Sequence, residues 1–135
     1  MSVADSSSRW VYEPDERPKR KHRWRHAYAG FVEQCGEKVG KCPLTLSDAQ
    51  AEELLNTQAV PYFNPKARGP SPDRLYVVHD GVVYRAVPTR AGLSFHGFPE
   101  SPEHLARLPR AVLEQILALA ERLGCKDRVQ DWMSG

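Results

Sequence analysis

Residues 75–99, LYVVHDGVVYRAVPTRAGLSFHGFP, decide how this 135-residue chain folds, because strand-forming runs, a tight turn and candidate reactive side chains coincide there. The runs 75–79 and 82–87 are rich in β-branched and aromatic residues. They are joined by Asp80-Gly81, a pair that supplies the positive φ of a type I′ turn. A two-residue loop sets the register: His79 opposite Val82, Val78 opposite Val83, Val77 opposite Tyr84, and Tyr76 opposite Arg85. Side chains then alternate between two faces. Leu75, Val77, Val82, Tyr84 and Ala86, with His79 at the end, form the face expected to be core. Tyr76, Val78, Val83, Arg85 and Val87 form the other.

A third run, 93–98, follows the loop Thr89-Arg90-Ala91-Gly92 and alternates Leu93 and Phe95 with Ser94 and His96. If Leu93 and Phe95 join the apolar face, Ser94 and His96 share a face with Arg85 and Tyr76. Metal-independent cleavage of RNA needs a base for the 2′-hydroxyl proton, an acid for the leaving oxygen and a cation for the phosphate. His96 is the candidate base or acid and Arg85 the phosphate clamp. Tyr76, Thr89 and Ser94 are candidate hydrogen-bond donors, and His104 or His79 can supply a second imidazole. Such a small domain resembles the compact bacterial ribonuclease toxins in architecture, although no motif carries the likeness. The same residues also suit the ordinary polar side of a half-buried sheet.

Charge is unevenly placed. The net charge is +2, yet six Lys or Arg residues fall between Arg17 and His26: Arg17, Lys19, Arg20, Lys21, Arg23 and Arg25. Without those six, 13 basic residues face 17 acidic ones. A cationic run with Trp24 inside it suits a phosphate backbone, through counterion release and base stacking, and points to nucleic acid, RNA before DNA. An acidic protein is the alternative partner. Hydrophobic residues at 41% and charged residues at 27% are ordinary for a globular chain, with no apolar run of membrane-spanning length and no hydrophobic leader at the N-terminus. Three cysteines, Cys35, Cys42 and Cys125, cannot all pair within one chain. Together these features predict a cytoplasmic protein.

Outward from the central stretch, residues 1–23 read as a basic, flexible arm with Trp10-Val11-Tyr12 as an isolated apolar triplet, and 24–135 as one domain. Segments 28–34 and 39–42 read as a second hairpin. Ser47-Asp48-Ala49-Gln50 is a capping box that opens a short helix, with Ala51, Leu54 and Leu55 inward and Asn56 at its end. Residues 60–73 contain four prolines and read as loop. Ser101-Pro102-Glu103 begins a helical turn, and after Pro109 the spacing of Val112, Leu113, Ile116, Leu117, Ala120 and Leu123 predicts an amphipathic helix stopped by Gly124.

Other chemistries are weaker. His22-x3-His26 with Cys35-x6-Cys42 offers two nitrogens and two thiolates for zinc, but lacks a tight cysteine knuckle, so no metal is expected. Cys42 beside Lys41 lacks a defined base partner for a nucleophilic role. No Walker loop, GxGxxG or GxSxG occurs, which argues against a nucleotide hydrolase, dehydrogenase or serine hydrolase, and no cofactor is expected. The prediction is an α+β domain, a small twisted antiparallel sheet packed by a C-terminal amphipathic helix and one short helix. Its expected role is to engage nucleic acid, with a metal-independent endoribonuclease as the enzymatic form and a protein-interaction module as the alternative.

Overall fold

The computed structural model describes residues 10–14, 22, 24–34, 36–66 and 71–135. Among them are seven strands and four helices, an α+β arrangement. At its centre β5 (Arg74–His79) and β6 (Val82–Arg90) form the hairpin expected from Asp80-Gly81, with φ of 52° and 78° at the two turn residues. The register is the expected one, Tyr76 opposite Arg85 through His79 opposite Val82. β7 (Ser94–Pro99) pairs antiparallel with β6, and a register shift between Pro88 and Arg90 leaves Thr89 as an unpaired bulge residue.

The sheet is larger and more mixed than expected. β1 (Val11–Tyr12) adds parallel to β7, so this part of the expected arm belongs to the domain. Asn56 holds it in place by accepting from the Trp10 amide at 2.8 Å and donating to the Trp10 carbonyl at 2.9 Å. At the opposite edge, β4 (Val60–Tyr62) pairs with β5, where the density of prolines had indicated loop. An edge strand tolerates Pro61 because a missing N–H is lost only from the outer side. The five-stranded order is β1-β7-β6-β5-β4. β2 (Gly30–Gln34) and β3 (Glu37–Lys41) form a separate two-stranded sheet rather than extending this one.

Both faces of the central sheet are buried, not one. Leu75, Val77, Tyr84, Ala86 and Phe95 pack with Trp10, Cys42, Leu46 and Leu55, the last from α1 (Asp48–Thr57). Tyr76, Val78 and Val83 pack with Leu105 of α2 (Pro102–Leu105), with Ile116, Leu119 and Ala120 of α3 (Arg110–Arg122), and with Val129 of α4 (Lys126–Ser134). Full burial of a residue such as Ile116 stabilises by roughly 1.5–3 kcal/mol. Leu93, expected on the apolar face, lies in the turn before β7 and is 60% exposed.

Helix starts follow the sequence closely. Ser47 and Gln50 make the reciprocal capping box, and Ser101 accepts from the His104 amide. α1 runs one residue past Asn56, whose side chain is occupied by Trp10. Gly124, at φ 77°, ends α3, and α4 follows at once as a helix the periodicity had not revealed. No helix of the described residues is long and apolar enough to cross a membrane.

Candidate functional site

Where the β2–β3 hairpin crosses the outer edge of β7, a cleft of about 280 Å³ opens between hairpin and sheet. Close approach makes this crossing possible: a β-carbon on Gly40 would lie 2.8 Å from the Pro99 carbonyl oxygen, so only glycine lets the hairpin come so near. One wall carries Arg85, His96, Phe98 and Glu100 from the sheet side, and the other carries His22, Phe31 and Lys38. His104 of α2 closes one end.

Two imidazoles share the cleft. The His22 ring lies 4.4 Å from the Phe98 ring and 6.3 Å from the His96 ring, stacked at interplanar angles of 23° and 22°. His22 Nδ1 is 2.8 Å from the Gly40 carbonyl oxygen, which can only accept, so Nδ1 carries the proton. His96 Nδ1 is 2.7 Å from Thr89 Oγ1, while the Thr89 hydroxyl donates to the Glu13 carbonyl at 2.7 Å. A hydroxyl has one proton to give, so Thr89 accepts from His96 Nδ1–H. In both neutral rings the basic nitrogen is therefore Nε2.

Deeper in the cleft, Glu100 is 1% exposed and holds Arg85 from two directions, Oε2 to Nε at 2.8 Å and Oε1 to Nη2 at 3.0 Å. The Nε approach is a charge contact rather than an aligned hydrogen bond. Arg85 also stands 5.5 Å from the Phe98 ring centre, a cation over an aromatic face. His104 Nδ1 lies 3.1 Å from Arg85 Nη2 and 3.3 Å from Glu100 Oε1. A neutral His104 accepts there from the guanidinium, whereas a protonated one donates to the carboxylate. The ion pair leaves the two donors of Arg85 Nη1 outside it. Lys38 meets Glu103 at 3.3 Å, and this pair is exposed to solvent on both sides. The Glu103 carboxyl is held below its usual range, first by its own backbone amide and then by Lys38.

The residues anticipated from sequence divide into three groups. Arg85 and His96 meet in the cleft. Thr89 and Ser94 lie behind it, in a network where Ser94 and Arg90 both donate to Glu13 Oε1, at 2.7 and 2.8 Å, and lower the Glu13 carboxyl from its ordinary value. Tyr76 is elsewhere: it is 0% exposed in the helix-facing core, its hydroxyl accepts from Arg74 Nη1 at 3.0 Å, and burial pushes its phenol up. His79 is beside Tyr84 at the far end of the central hairpin. Arg17, Lys19, Arg20, Lys21 and Arg23 lie outside the described residues, as does Cys35. Trp24 and Arg25 stand on the outer loop before β2, not in the cleft.

The other zinc candidates are not brought together. His22 stacks on Phe98 and His26 on Tyr28, while Cys42 is buried with Sγ donating to the Gly97 carbonyl at 3.5 Å. Among the described residues, no group of three His, Cys, Asp or Glu side chains is placed to hold a metal.

Sequence reading missed His22 as the partner of His96, and Glu100 as the partner of Arg85. Glu100 had one usable signal, a carboxylate at the end of a strand just before a helix N-cap. No protein-family model, curated protein or solved structure matches the chain.

Proposed function

We propose that the cleft binds the phosphate of single-stranded RNA and that the protein is a metal-independent endoribonuclease. The observation that carries this reading is the stacked pair His22 and His96, each tied through Nδ1 to a backbone-anchored oxygen, beside the cation Arg85. Two imidazoles on either side of a phosphodiester are the acid and base that transesterification needs. In the proposed step, His96 Nε2 takes the 2′-hydroxyl proton and O2′ bonds to phosphorus. The P–O5′ bond breaks, and O5′ takes a proton from Nε2 of protonated His22. A 2′,3′-cyclic phosphate and a 5′-hydroxyl result. Arg85 Nη1 meets the charge that develops on the phosphoryl oxygens.

A second reading, a non-enzymatic module that grips an acidic partner through the basic arm, is favoured by the ion pair itself, because Glu100 already neutralises Arg85. The two separate on purified protein incubated with RNA in EDTA. The ribonuclease reading expects cyclic-phosphate ends, and a fall of about 10²- to 10⁴-fold in rate for His96→Ala and for His22→Ala with an unchanged circular dichroism spectrum. Wild-type protein that leaves RNA intact, or variants that cleave at the wild-type rate, would overturn it.

A further inference from the structure

Outside the cleft, residues 24–28 form a small loop closed by a hydrogen bond from Trp24 Nε1 to the Tyr28 carbonyl at 2.9 Å. Its three rings gather on one exposed patch. His26 and Tyr28 lie parallel, 5.1 Å apart at 15°, and Trp24 stands edge-on to both, at 4.7 and 5.4 Å. The Trp24 ring occupies space that only a glycine leaves open, since a β-carbon on Gly30 would lie 2.6 Å from Cη2. Tyr28 is 60% exposed, an unusual degree for an aromatic side chain held in a fixed stack. The loop is anchored to the cleft wall: the Leu44 amide donates to the His26 carbonyl and the Cys42 amide to the His22 carbonyl, both at 2.7 Å.

We infer that Trp24, His26 and Tyr28 form a stacking platform for a nucleobase beyond the two that flank the phosphate in the cleft, so that the ligand is a single strand of several nucleotides and not a mononucleotide. This deepens the ribonuclease reading and rests on its cleft. Flat rings with polar edges are matched by a base, which has a π-face whatever its identity. Exposed Arg25 within the loop supplies positive charge of the kind that phosphates require. His26 follows His22 by four positions, so their backbones are at most about 14 Å apart. That span suits a strand continuing from cleft to platform.

The test measures fluorescence anisotropy of labelled 2′-O-methyl RNA oligomers, which lack the nucleophilic hydroxyl, so binding is read without cleavage. Wild-type protein should hold an eight-mer far more tightly than a dimer. Tyr28→Ala should weaken eight-mer binding by about 5- to 150-fold, the loss of one stacked base, and Tyr28→Phe should restore it. Dimer binding should change less than about twofold in either variant, since both bases of a dimer flank the phosphate in the cleft and no third base remains for the platform. Equal affinity of wild type and Tyr28→Ala for the eight-mer would overturn the platform while leaving the cleft reading intact. Wild type that binds no oligomer would overturn both. A Tyr28→Ala effect equally large on a polyglutamate peptide would show a surface for acidic protein, and would overturn the platform as well.

Discussion

Removing Arg85 should damage the fold more than removing Glu100, although the two form one ion pair. Glu100 is 1% exposed and the Arg85 side chain 15%, so Arg85→Met strands a carboxylate in the interior, with His104 as its remaining ring contact. Breaking a buried pair by deleting one partner costs about 3–5 kcal/mol. For a chain of this length, at about 4 °C per kcal/mol, the melting temperature should fall by about 12–20 °C. Glu100→Gln leaves a guanidinium that keeps the Phe98 face and reaches the open cleft, and the new amide oxygen still accepts from it, so about 1–3 kcal/mol is expected. The double variant Arg85→Met/Glu100→Leu should recover most of the Arg85→Met loss, because neither charge remains to be solvated. Thermal and urea unfolding followed by circular dichroism measure all three. A loss for Arg85→Met no larger than that for Glu100→Gln, or no recovery in the double variant, would refute the argument that desolvation of Glu100 dominates this site.

Two further outcomes follow from packing and protonation. Gly40→Ala places a methyl group 2.8 Å from the Pro99 carbonyl, so the β2–β3 hairpin must lift; a loss of about 1–3 kcal/mol is expected, and unchanged melting would contradict the close crossing. Tyr76 and Tyr84 both resist ionisation, chiefly through burial, so each contributes stability that is full below pH about 10 and is lost above it at about 1.4 kcal/mol per pH unit while only the unfolded state ionises. Urea unfolding between pH 9 and 11 should show that decline, and Tyr84→Phe should make it shallower; a flat profile would contradict it.

What the sequence makes readable is what short range determines. The Asp80-Gly81 turn sets the hairpin register, Ser47 with Gln50 sets a helix start, and Gly124 sets a helix stop, each within a few residues of its effect. The second buried face was hidden because Arg85 shares it with Tyr76, Val78 and Val83: one charge at the cleft end made an interior surface read as polar. β4 was hidden by Pro61, since sequence does not show which strand will lie at an edge. In the candidate site, Arg85 and His96 fall together through the local register of β6 and β7. His22 arrives from a hairpin packed across the sheet edge, a tertiary event with no signature in nearby residues.

The docking of β1 also bears on how the molecule avoids its own kind. Without it, β7 would offer an open ladder of backbone donors and acceptors, the template on which sheets of separate molecules join. β1 occupies that ladder at Ser94 and Phe95, and the β2–β3 hairpin crowds it at Pro99. On the other side, Pro61 removes one donor from β4. β1 thus acts as a tethered plug, and trimming the chain past Tyr12 should leave that stretch of β7 open to strand addition from another molecule.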